Sequence, residues 1–188
     1  MKLHVKYDAR AARHALGGNH ELAWKATYRA LDRTIDTGRA ESARLISSRY
    51  AVSAATVRDA IDKKTPNASS GVGYIVSRGA KLPLSMFPHA PMTSGTGGRG
   101  KPPLTIEVVR GERRPLRGAF VAETGGQLRV MARRGRERTP IRELSTVPIP
   151  VMLGMIEPDL MPHLSRAFAI RLQHEITRLG GGKATLPR

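Results

Sequence analysis

Cysteine is absent from the 188-residue chain, which excludes disulfides, thiolate catalysis and cysteine-based zinc sites. Aromatic residues make up only 4%: one Trp, four Tyr and three Phe. A core must therefore be built from Ala, Val, Ile, Leu and Met, and stacking on single-stranded bases is not expected. Negative charge is scarce, with 15 Asp and Glu against 32 Lys and Arg, a formal charge of +17. This balance excludes an acidic, solvating protein and implies a polyanionic neighbour. Long apolar runs are missing as well. The stretch around Val147–Ile156 is broken by Pro148 and Pro150 and is far too short to span a membrane. The opening residues Met1–Tyr7 contain no apolar core, so a signal peptide is not expected. Composition points to a soluble, very basic protein of a reduced compartment, with one domain and a terminal arm.

The chain divides by pattern. Residues 1–18 carry Lys2, Lys6, Arg10 and Arg13 and end in Gly17-Gly18, which reads as a short strand or an amino-terminal arm followed by a hinge. From 19 to 180 a single α+β domain is expected, followed by a carboxy-terminal tail at 181–188. Asn19 is a candidate helix cap, and Trp24, Tyr28, Leu31 and Ile35 recur on one helical face, predicting a long helix from about Asn19 to Ser47. A second helix is predicted from Ser53 to Lys63. Alternation at Val72, Tyr74 and Val76 predicts a strand. Residues 88–103 are so rich in Gly and Pro that a long flexible loop is expected. Strands are predicted at Leu104–Val109, Gly118–Glu123 and Gln127–Ala132, the last two joined by a Gly125-Gly126 hairpin turn. A final helix is predicted from about Pro158 to Leu179. Its stripe of Leu160, Leu164, Phe168, Leu172 and Ile176 is expected to pack on a central antiparallel sheet containing Phe120, Val121, Leu128 and Val130.

Catalysis finds no foothold in these residues. The six histidines fall in no metal-ligand spacing, and no serine lies in a nucleophile elbow. Asp59 and Asp62 belong to a charged helix exterior, and Glu157 and Asp159 sit where a helix dipole accounts for them. Gly95–Lys101 lacks the Ser or Thr after its lysine that a phosphate loop needs. No catalytic residue, cofactor or metal is therefore expected. The run Arg129, Arg133, Arg134, Arg136 and Arg138 is the candidate contact for DNA or another acidic partner, against the plainer reading of a solvated charged loop.

Two resemblances bear on function. Residues 44–61, with a Val52-Ser53 turn before Thr56-Val57-Arg58, resemble the helix-turn-helix of winged-helix bacterial regulators. Any two short helices joined by a Ser-capped turn share that pattern.

A longer series of segments runs through the carboxy-terminal half. Pro115–Ala122 is followed by Gly126–Arg133, then Arg138–Leu144, then Val147-Pro148-Ile149-Pro150, and a last helix containing Leu172-Gln173-His174. In order and spacing these resemble the phage minor tail protein Z family, the tail completion proteins of lambda-like phages, over about residues 20–180. The resemblance implies a non-enzymatic virion protein at the head-proximal end of a long tail, assembled in the host cytoplasm. It further implies self-association into a ring of about six copies. Implied partners are the tail tube, tail terminator and connector, with non-specific contact to genome DNA and neither a membrane nor a small-molecule substrate. The alternative is a winged-helix DNA-binding regulator.

Overall fold

A computed structural model describes residues 1–6, 10–66, 72–90, 103–135, 137 and 139–180. The chain begins with strand β1 (Lys2–Lys6) and helices α1 (Arg10–Ala15), α2 (His20–Arg49) and α3 (Ala54–Asp59). Strands β2 (Ile61–Lys64), β3 (Val72–Ser77) and β4 (Leu82–Pro83) follow, then a 3-10 turn at Leu84–Met86 and β5 (His89–Ala90). Next come β6 (Leu104–Glu107), β7 (Arg113–Leu116), β8 (Ala119–Thr124), β9 (Gln127–Arg133), β10 (Ile141–Glu143) and β11 (Ser145–Thr146). Helix α4 (Ile149–Leu179) closes the fold. The architecture is α+β.

Helix α2 begins where its sequence says it should: the Asn19 side chain accepts a hydrogen bond from Leu22 N at 3.1 Å. Its buried face is unusual in chemistry. Leu31, Ile35 and Ile46 share it with Ala23, Ala26, Ala30, Gly38 and Ala43, and with the polar Thr27, Thr34 and Ser42. Each buried hydroxyl donates to the carbonyl one turn earlier: Thr27 to Ala23, Thr34 to Ala30 and Ser42 to Gly38. These residues are small, and their polar groups are satisfied within the helix. A second helix can therefore lie close along them.

That second helix is α4. It runs antiparallel to α2: Glu41 faces His163, Gly38 faces Leu164, and Arg33 faces Glu175. Leu160, Leu164, Phe168, Leu172 and Ile176 are all buried, as their spacing predicts. Their principal partner differs from the expectation. They pack chiefly on α2, with β3 adding a smaller contact, and not on the β8–β9 hairpin. The hairpin buries one side only, through Ala119, Val121 and Val130, while Leu128 is exposed. The stripe legible on α2 is Trp24, Tyr28, Leu31 and Ile35, of which Trp24 and Tyr28 are only half-buried. Small residues such as Gly38, which meets Leu164, give no apolar signal, so the hairpin looked like the better partner.

Helix α4 also starts nine residues before the predicted Pro158, at Ile149. Pro150 occupies its first turn, where no backbone donor is required. Pro158 and Pro162 lie inside the helix on exposed positions, and each removes one backbone donor from the helical ladder. Burial of Ile149, Met152, Leu153 and Ile156 holds the first turns helical against that loss.

The strands form several small sheets among the described residues, where one central sheet was expected. Their orders are β1-β3-β2, β10-β9-β8, β5-β6-β7 and the pair β11-β4. Of the two readings of the amino-terminal segment, strand or arm, the strand holds for residues 2–6: Lys2 pairs with Val76, Leu3 is buried, and the Met1 ammonium donates to Ser77 O at 2.7 Å. The helix expected over Ser53–Lys63 stops at Asp59. Ser53 caps it through Thr56 N at 3.1 Å, but residues 61–64 pair with β3 and bury Ile61. Strand pairing here overrides local helical pattern. The hairpin turn at Gly125-Gly126 is as expected, with φ of 61° and 74°, the left-handed pair a two-residue turn requires. Of the Gly- and Pro-rich segment, His89–Ala90 form β5, and residues 91–102 lie outside the described residues, as does the tail at 181–188.

Two stability outcomes follow from the α2–α4 contact. Phe168→Ala should cost about 3–5 kcal/mol in chemical denaturation, because Phe168 is 5% exposed; a cost near zero would place the helix face against solvent. A Cβ at Gly38 would collide with Ile75 Cδ1 and crowd Leu164 Cδ2 at 3.0 Å. Gly38→Ala should therefore lose up to about 2 kcal/mol despite its roughly 1 kcal/mol gain in helix propensity. A raised urea midpoint would show that this seam has room to spare.

Candidate polyanion interface

Three of the five arginines singled out from sequence lie among the described residues, and all three belong to β9 or its exit. Arg136 and Arg138 lie outside them. On β9, residues 129, 131 and 133 point to the face opposite buried Val130. Across the sheet Met131 pairs with both Phe120 and Glu143, and Arg133 pairs with Ile141. The outer face thus collects Phe120, Met131, Ile141, Arg129 and Arg133.

These arginines are not equivalent. Arg129 Nη1 donates to Glu143 Oε2 at 3.0 Å, a diagonal cross-strand ion pair that neutralises its charge locally. Arg133 holds its guanidinium 4.9 Å from the Phe120 ring centroid, a cation–π contact that leaves the group exposed. Arg134 is exposed, and its backbone N–H donates to Pro140 O at 3.2 Å, fixing the direction of the chain at the sheet's end. Arg133 and Arg134 are exposed; Arg129 is paired through Nη1, while its buried Nε has no hydrogen-bond partner. No aromatic is near these arginines in sequence, yet strand pairing places Phe120 under one of them.

A second basic cluster escaped the sequence reading. Glu175 of α4 has a side chain only 3% exposed, and three guanidiniums surround it. Arg178 donates to its Oε2 at 2.6 and 3.2 Å. Arg33 Nη1 lies 3.4 Å from its Oε1 and Arg29 Nη1 lies 3.8 Å from its Oε2. Arg29 and Arg33 are one turn apart on α2, and Glu175 and Arg178 are three residues apart on α4. The spacings are visible in the sequence. That the two stripes face each other depends on the antiparallel register of the helices.

The helix-turn-helix look-alike takes a compact form. Helix α3 spans six residues, Val57 is its buried member, and its Arg58 side chain is exposed. The carbonyl of Arg58 accepts a hydrogen bond from Arg39 at 2.9 Å, tying the end of α3 back to α2. Among the described residues no group of three His, Asp or Glu side chains could hold a metal ion, and no helix is long and apolar enough to cross a membrane. No family model matches the chain, and neither a curated protein nor a solved structure is significantly similar to it.

The two ion-pair systems should respond differently to charge removal. Glu175→Gln should destabilise by about 1–3 kcal/mol, since it removes charged hydrogen bonds from a buried acceptor and leaves three cations facing one another. Glu143→Gln, at a half-exposed pair, should cost under about 1 kcal/mol. Denaturant melts of both variants at low and high salt test this, and equal costs would remove the distinction.

Proposed function

We propose that the chain is a structural virion protein, a minor tail or tail completion protein at the head-proximal end of a long phage tail. The observation that carries this reading is the ordered series of segments from Pro115 to His174 that resembles the minor tail protein Z family. Physical chemistry supports it in two ways. The +17 formal charge suits a protein that lies near packaged or exiting genome DNA. The exposed arginines sit at the end of a sheet, where they offer phosphate contact without reading bases.

Such a protein acts through geometry. Copies around the tail axis, about six in a closed ring, would meet through sheet edges and terminal segments. The ring would join the tail tube and terminator to the connector, in the virion. Co-sedimentation of the protein with complete particles, and a mass for the assembled tail end that fits a ring, are the expected results. Absence from intact virions, or a single copy there, would end this reading.

A second reading is favoured by one observation: the Ser53-capped α3 carrying Thr56-Val57-Arg58 is followed by the antiparallel β2–β3 pair, as in a winged-helix regulator. The two readings differ in DNA recognition. A tail protein should bind duplexes weakly, with steep loss of affinity between low and physiological salt and no sequence preference. Arg133→Gln with Arg134→Gln should weaken that binding uniformly, and Arg58→Ala should leave sequence preference unchanged. Selection from random duplexes that converges on one site, bound ~10³-fold above random DNA and lost with Arg58, would favour the regulator instead.

A further inference from the structure

We propose that the seam between α2 and α4, at Arg29, Arg33, Arg171 and Arg178, is a binding site for a phosphate oxyanion. The argument begins with an imbalance of donors. Glu175 is the carboxylate at the centre of this seam, and Arg178, Arg33 and Arg29 already surround it. Arg171, one helical turn before Glu175, has no share in it: its Nη1 is buried and has no hydrogen-bond partner. A buried guanidinium N–H without an acceptor is costly unless something supplies one.

The charges around Arg171 point the same way. Burial, then the like charge of Arg33 across the seam, push the Arg171 guanidinium below its usual range, while Asp36 acts in the opposite sense. Asp36 is itself engaged by Lys63 Nζ at 2.6 Å. Three guanidiniums therefore crowd Glu175, whose Oε2 takes both hydrogen bonds from Arg178, and Arg171 lies within the field of one of the three, Arg33. Arg33, Arg178 and Arg29 keep 64%, 52% and 40% of their side-chain surface exposed, so a ligand can reach them from solvent.

The shape of the donor set selects the anion. Guanidiniums arrive from two facing helices, so a planar carboxylate could satisfy only some of them. A tetrahedral phosphate presents oxygens in several directions and carries enough charge to offset the excess. The same chemistry is offered by free phosphate and by a nucleic-acid phosphodiester. The site stands apart from the β9 arginines and does not depend on the tail reading.

Thermal denaturation of the full chain in inorganic phosphate, against sodium chloride at matched ionic strength, tests the site. Saturating phosphate should raise Tm by on the order of 5 °C beyond the salt control, because it binds only the folded chain. Arg171→Met, which keeps the apolar stem and removes the charge, should be at least as stable in chloride yet lose the phosphate-specific rise. Arg33→Gln, at a surface position, should also lose most of it. A purely structural Arg171 would give the reverse pattern: lower stability in chloride with the phosphate response intact. No phosphate-specific rise in the native chain, or its survival in both variants, overturns the proposal. Fluorescence anisotropy with a short duplex then identifies the source. A tenfold or greater loss of duplex affinity in both variants assigns a phosphodiester, and unchanged affinity beside a lost phosphate response assigns free phosphate.

Discussion

Close approach of two long helices is the constraint on which this structure depends. A 30-residue helix spans roughly 45 Å, and nearly the whole of α2 lies against α4 or the strands beside it. Bulky side chains on both surfaces would hold the axes apart. The conflict is resolved asymmetrically: α4 supplies Leu160, Leu164, Phe168 and Leu172, while α2 supplies Ala, Gly, Thr and Ser. Thr27, Thr34 and Ser42 can be buried there because each hydroxyl has its acceptor in its own helix. The strands β2 and β3 then dock across the same site, with Ile75 beside Gly38 and Ile35 beside Gly73.

Register along this seam also decides where charge meets charge. The antiparallel arrangement that brings Leu164 to Gly38 brings Glu175 to Arg29 and Arg33 at the other end. A buried carboxylate is tolerable only because several cations reach it. The cations outnumber it, however, and the surplus is placed where solvent and solutes have access. The seam is apolar at its middle and electropositive at one end, and both properties come from the same alignment of two helices.

Net charge alone gives a protein an attraction to polyanions without a location for it. In this chain the exposed arginines described above fall in two places. At the end of β9, Arg133 and Arg134 are exposed, with Arg133 set against the Phe120 ring. Between α2 and α4 the arginines are ordered by packing and by Glu175, a setting suited to a fixed oxyanion. Arg129 is intermediate in kind, its Nη1 paired with Glu143. The sum over the chain is positive, but its parts differ in what holds the guanidiniums: a ring and a strand end in one place, a buried carboxylate in the other.

Sequence by itself determined what local chemistry can determine. The Asn19 and Ser53 caps, the long helix after Asn19, the α4 stripe, the β8–β9 hairpin at Gly125-Gly126 and the α+β class all follow from spacing and turn residues within a few positions of one another. The partner of α4 was not legible, because the Ala, Gly, Thr and Ser of the α2 face give no apolar signal until a second helix makes smallness an advantage. The end of α3 was not legible either: only pairing with β3 turns 61–64 from helix into strand. The candidate site divided along the same line. Arg129, Arg133 and Arg134 stood out as a run, but which of them is neutralised depended on Glu143, fourteen residues away across a sheet. Arg29, Arg33, Arg171 and Arg178 formed no run at all. Helical periodicity places each pair on one face of its own helix, and only the antiparallel packing of α2 on α4, set by long-range burial, makes them neighbours.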